Sequence, residues 1–94
     1  MGAGETRTGS MMLSLVIHRT AKKSLERLPR KHQQHVIAAI DLLLMNPFLG
    51  KKLEGVHEGK YTLRVWPYRI IYKFEKKQLT IYVLDIGHRQ GVYK

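Results

Sequence analysis

The chain has 94 residues, with 17 Lys and Arg against seven Asp and Glu, and a formal net charge of +10. That length favours one domain with a modest core, and the absence of cysteine excludes a disulfide framework and a thiolate metal site. No apolar run approaches the ~20 residues of a membrane span; the longest, Val36 to Met45, is broken by Asp41. The expectation is therefore a cytoplasmic protein with no membrane partner. A charge so one-sided raises association rates with polyanions and favours phosphate contacts, and solubility alone does not call for it. Nucleic acid is the leading partner class, ahead of an acidic protein surface.

Met1 to Ser10 is rich in Gly and Thr and has no apolar period. Residues 1–11 read as a disordered leader and 12–94 as one folded domain, with a second plausible start at Met11 or Met12. Met12 to Ile17 has the length and apolarity of a strand. Thr20 is placed to cap a helix reaching about Leu28, with Ala21, Leu25 and Leu28 on one face. Pro29 ends that helix and suits the first turn of a second, which runs to about Met45. Val36, Ile37, Ile40, Leu43 and Leu44 mark its buried stripe, and Asn46-Pro47 stops it. The two helices form a hairpin with a tight joint.

Phe48 to Gly59 reads as a loop. Three strands follow: Tyr61 to Trp66, Tyr68 to Glu75, and Leu79 to Ile86. Their connections, Pro67 and Lys76-Lys77-Gln78, are short enough to demand antiparallel neighbours. The predicted fold class is α+β, ordered β-α-α-β-β-β, an antiparallel sheet with a helical hairpin packed on one face. Strand alternation turns Leu63, Val65, Ile70, Tyr72, Ile81 and Val83 toward the helices. Arg64, Arg69 and Lys73 then share the opposite face with Thr62, Tyr82 and Leu84. Cations on neighbouring strands repel one another unless an anion lies between them. Nearby acids are few, Glu75 and Asp85, so this face is read as an anion site.

The segments Tyr68-Arg69-Ile70-Ile71-Tyr72 and Gly87-His88-Arg89, the later Tyr93, and Lys52-Leu53-Glu54-Gly55 before the second strand resemble the RelE/ParE superfamily of toxins, in particular its RelE-like branch. The resemblance spans Met12 to Lys94. It implies an mRNA interferase that cleaves messenger RNA in the ribosomal A site and is held inactive by an acidic antitoxin in a toxin–antitoxin hetero-oligomer. It assigns catalytic roles to Arg69, Arg89 and Tyr93, and sets Arg64 where a well-known member has lysine. Thr62 stands in place of a second catalytic lysine and Glu54 in place of a basic residue, which leaves the general base unassigned.

The chemistry makes matching demands. Cleavage by RNA's own 2′-hydroxyl needs a base, donors for the equatorial phosphate oxygens, and an acid for the leaving 5′-oxygen. Arginine's planar fork suits the donor role. An isolated tyrosine titrates near ~10, so Tyr93 as a base needs surrounding cations to lower that value. Histidine chemistry near neutrality fits His88 for sharing the proton transfers. Lys51, Lys52 and Lys73 are candidate phosphate contacts, and Trp66 is a candidate platform for a stacked base. His32 and His35 lie i, i+3 on the second helix without a carboxylate beside them, so no metal site and no cofactor are expected. Two alternatives remain open: a non-enzymatic ParE-like toxin acting on DNA gyrase, and a plain RNA-binding module.

Overall fold

Five short segments, four of them rich in apolar residues, build one sheet, and the computed structural model describes residues 13–88. In chain order the elements are β1 (Ser14–Ile17), α1 (Arg19–Arg27), α2 (Arg30–Met45), β2 (Lys51–Lys52), β3 (Tyr61–Val65), β4 (Tyr68–Glu75) and β5 (Thr80–His88). The sheet order is β1-β5-β4-β3-β2. The β3–β4 and β4–β5 pairs are antiparallel, as their short connections require. β1 adds parallel to β5, with Ser14 opposite Thr80 and Ile17 opposite Val83. The sheet is thus mixed rather than wholly antiparallel, because the intervening helices carry the chain across before the last strand returns beside the first.

Pro29 separates the helices by occupying the cap position of α2, where it has no donor to lose. The joint is tied from the other side. Gln33 Nε2 donates to the carbonyls of Leu25 (3.1 Å) and Glu26 (3.2 Å) in the last turn of α1, the first of which also accepts the Leu28 N–H. Thr20 does not cap α1. His18 holds that position, and Thr20 lies within the first turn.

The buried face of α2 is Val36, Ala39, Ile40, Leu43 and Leu44. Ile37, expected in this stripe, is 48% exposed. Its place belongs to Ala39, which sits i+3 from Val36 and is buried. Leu13, Ala21, Ile70, Tyr72, Ile81, Val83 and Ile86 complete the core, with Leu25, Leu28 and Leu63 packed at its margin. Each fully buried Leu or Ile contributes roughly 1.5–3 kcal/mol.

Two details escaped the strand pattern. The expected loop after α2 contains β2, which pairs Lys51 with Thr62 and Lys52 with Tyr61. A register shift between Ile71 and Tyr72 lets both Val83 and Ile86 face the core, with Leu84 as the extra residue of β5. Asp85 is thereby turned to the side away from the helices, opposite Ile71.

Candidate nucleic-acid interface

The face of the sheet away from the helices collects its cations by register. Arg64 of β3 lies directly opposite Arg69 of β4, and Lys51 of β2 lies opposite Thr62, two residues before Arg64. Side chains two apart in a strand share a face, so Lys51, Thr62, Arg64 and Arg69 converge. They line a cleft of about 290 Å³ together with Leu49, Gly50 and Leu63. Thr62, 6% exposed, sits in this lining, and its Oγ1 has no hydrogen-bond partner. A buried hydroxyl with spare donor capacity beside three cations is an environment made for anionic oxygen.

Lys73 extends the same face. Its ammonium lies 3.4 Å from Glu75 and 5.5 Å over the Tyr82 ring. The Tyr82 hydroxyl in turn hydrogen-bonds the Gln78 side chain. Trp66, 63% exposed, and Pro67 form the turn between β3 and β4 through a cis peptide bond. The exposed indole is next in sequence to Val65 and two residues from Arg64.

Other sequence candidates are placed elsewhere. Lys52 alternates to the opposite side from Lys51 and lines a second cleft with Leu53, Glu54, Gly55 and Glu58. The substitution at Glu54 therefore lies outside the arginine cleft. His88 pairs with Tyr68 rather than Arg69, and its ring meets the Tyr68 ring edge-on at 5.9 Å. Tyr68 contacts His32 of α2 at 5.1 Å, and His32 faces His35 at 6.3 Å. His88 is thus the end of a ring cluster on the helix side of the sheet, and the structure does not gather it with Arg64 and Arg69. Arg89 and Tyr93 lie outside the described residues. Gly50, which strand pattern does not mark as a site residue, lines the cleft, and Tyr72 backs it by accepting the Gly50 N–H.

The cleft can grip a phosphate group through two guanidinium forks and an ammonium while leaving one edge for a sugar or base. None of the described residues lining it is an evident general base.

The chain path and the hairpin-covered mixed sheet are those of a RelE-like α+β toxin fold. Structures superposing on it include that of the RelBE2 toxin–antitoxin complex of Mycobacterium tuberculosis, with a TM-score of 0.74, 27% identity, and coverage of 80% of this chain and 95% of that one. The archaeal RelE–RelB complex of Pyrococcus horikoshii gives a TM-score of 0.69 at 30% identity, over 82% of this chain and 94% of that one. In sequence the chain is similar to toxin RelG of Mycobacterium tuberculosis, 29% identical over 77 residues, which is 80% of this chain and 88% of that protein. The family model of the ParE toxin of type II toxin–antitoxin systems matches residues 15–93. The chain belongs to that family, within the RelE/ParE-type toxin superfamily.

Proposed function

We propose that the protein is the toxin of a type II toxin–antitoxin pair and cleaves messenger RNA in the ribosomal A site, with the arginine cleft holding the scissile phosphate. The observation that carries this reading is the direct cross-strand pairing of Arg64 with Arg69 beside Lys51 and the unpartnered Thr62 hydroxyl. Like charges set opposite each other weaken a sheet, and an anion between them reverses the sign of that contribution. In the proposed mechanism Arg64 and Arg69 donate to the equatorial phosphate oxygens as charge develops. Arg89 would add a third fork from beyond β5, and Tyr93 would take or deliver the proton at the 2′- or 5′-oxygen. His88 would act from the helix side, steadying the end of β5 against Tyr68. Lys73 and Trp66 would hold the flanking nucleotides.

The partner of such a toxin is an acidic antitoxin, and a net charge of +10 suits it. The neighbouring RelBE2 and RelE–RelB structures are toxin–antitoxin complexes, which supports this partner here. The match to the ParE model favours a second reading, inhibition of DNA gyrase without RNA cleavage. Primer extension on ribosomes programmed with a defined message tests the first, with a gyrase supercoiling assay alongside. Cleavage in the A site that disappears in Arg69→Ala supports the ribonuclease. Intact message together with blocked supercoiling supports the gyrase reading instead.

A further inference from the structure

Tyr72 is fully buried on the helix side of β4, yet its hydroxyl serves a segment more than twenty positions away. It accepts a hydrogen bond from the Gly50 N–H (2.9 Å) and donates one to the Pro47 carbonyl (2.9 Å). Those two residues bracket the chain between α2 and β2. That chain runs directly into Lys51, and Leu49, Gly50 and Lys51 form one wall of the arginine cleft.

Gly50 shows how closely this wall is fitted. A Cβ there would stand 2.7 Å from the Thr62 carbonyl oxygen, 2.7 Å from the Tyr72 hydroxyl and 2.9 Å from the ring. A backbone carbonyl and a buried ring cannot give way, so only glycine passes. The Tyr72 ring is itself held by stacking on Tyr61 (centroids 5.3 Å apart, planes at 17°). After Gly50, β2 has just two residues paired with β3. A ladder so short does not fix its own position against thermal motion, and something else must hold it.

We propose that Tyr72 is a positioning residue for the arginine cleft: through Gly50 and Pro47 its hydroxyl sets where Lys51 stands relative to Arg64 and Arg69. The inference rests on the phosphate-binding reading above and adds to it the group that orders one wall. Burial raises the tyrosine's proton affinity, so the hydroxyl keeps the proton it donates to Pro47 under ordinary conditions.

The test counts phosphate contacts. The full chain and its variants are titrated with a non-cleavable 2′-O-methyl RNA of about ten nucleotides, within the usual site size of single-strand binders, over a range of salt. Each lost contact to a single strand lowers the slope of log affinity against log salt by about 0.7. Lys51→Ala is expected to lower it by that amount and Tyr72→Phe by a similar amount. The double variant should show no further loss, because both remove the same contact. Arg69→Ala should lower the slope independently of Tyr72→Phe. The slope reads contacts per bound molecule and the signal amplitude reads the folded fraction, so a merely destabilised protein keeps its slope.

Gly50→Ala provides a second route, since it displaces the same wall with the tyrosine intact. It should reproduce the loss, and it decides the matter alone if Tyr72→Phe does not fold. If Lys51→Ala and Arg69→Ala leave the slope unchanged, the phosphate reading fails and the positioning role falls with it. If they lower it while Tyr72→Phe or Gly50→Ala keeps the wild-type slope, or adds fully to Lys51→Ala, the positioning role alone is refuted.

Discussion

Replacing Arg64 by glutamine should make the free protein more stable and a weaker binder of RNA. Arg64 and Arg69 occupy one register pair of β3 and β4, where opposing Cβ atoms stand about 4.5–5.5 Å apart and like charges destabilise by roughly 0.2–1 kcal/mol. Two unit charges about 7 Å apart in water repel by roughly 0.6 kcal/mol, inside that range. The expected gain for Arg64→Gln is therefore about 0.5 kcal/mol at low ionic strength, or about 2–4 °C in melting temperature for a domain of this size. It should fade toward ~1 M salt, where the screening length shrinks to about 3 Å. Urea unfolding at two salt concentrations, with and without the non-cleavable RNA, measures both halves. The RNA should stabilise the wild type more than the variant, since stabilisation by a ligand follows its affinity. A variant less stable than wild type at low salt, or a gain indifferent to salt, refutes the account of Arg64 and Arg69 as cations that repel each other across the strands.

Leu43 is fully buried in the centre of α2, so Leu43→Ala should cost about 2–5 kcal/mol and leave a chain barely folded at 37 °C, as thermal melting will report. Leu79 has a left-handed backbone (φ 50°, ψ 45°) and is half exposed; Leu79→Gly should raise stability by about 1 kcal/mol in urea unfolding, and a loss would mean that its side chain packs usefully. The proton affinity of Tyr72 is raised above the ordinary value of 10.0, chiefly by burial. The unfolded chain then loses this proton first as pH climbs past 10, and the stabilising contribution falls from there up to the folded-state value. The stability gap between wild type and Tyr72→Phe should accordingly narrow above pH 10 in parallel urea titrations. Tyr93→Phe keeps the ring and removes the hydroxyl, so a loss of about a hundredfold or more in A-site cleavage assigns it proton transfer, whereas near-normal cleavage assigns it stacking.

Much of this fold was legible because its signals are local. Pro29 and Asn46-Pro47 bound α2, and the brevity of the Trp66-Pro67 and Lys76-Lys77-Gln78 connections compels antiparallel pairing whatever the rest of the chain does. Ile37 was misplaced because the helical period sets it at the margin of the stripe, where hydrophobicity alone cannot say whether a side chain is covered. Ala39, three residues from Val36 and four from Leu43, lies within the buried face. The bulge at Leu84 was invisible for a related reason. Alternation carried on from Val83 turns Ile86 outward and Asp85 inward, and only pairing with β4 shows the extra residue that reverses both. At the candidate site, Arg64 and Arg69 could be assigned to one face from period two. Lys51 and Lys52 could not be separated, since nothing in a basic, glycine-containing stretch announces a two-residue strand. Gly50 and Tyr72 meet across twenty-two positions, a distance over which sequence pattern carries no information.

The pairing of β1 with β5 also bears on when the cationic face is complete. Ser14 and Thr80 are partners although 66 positions separate them, so β1, at one edge of the sheet, has no mate until β5 exists. Contacts this distant are made late, after the cost of closing the intervening chain has been met. During synthesis the helical hairpin emerges first and can pair only with itself. Arg69 takes its place beside Arg64 once β4 has formed, but the sheet that stiffens them waits for β5 to lie between β4 and β1. A nascent chain therefore passes through most of its length without the rigid cationic face, which is complete only once β5 has left the exit tunnel.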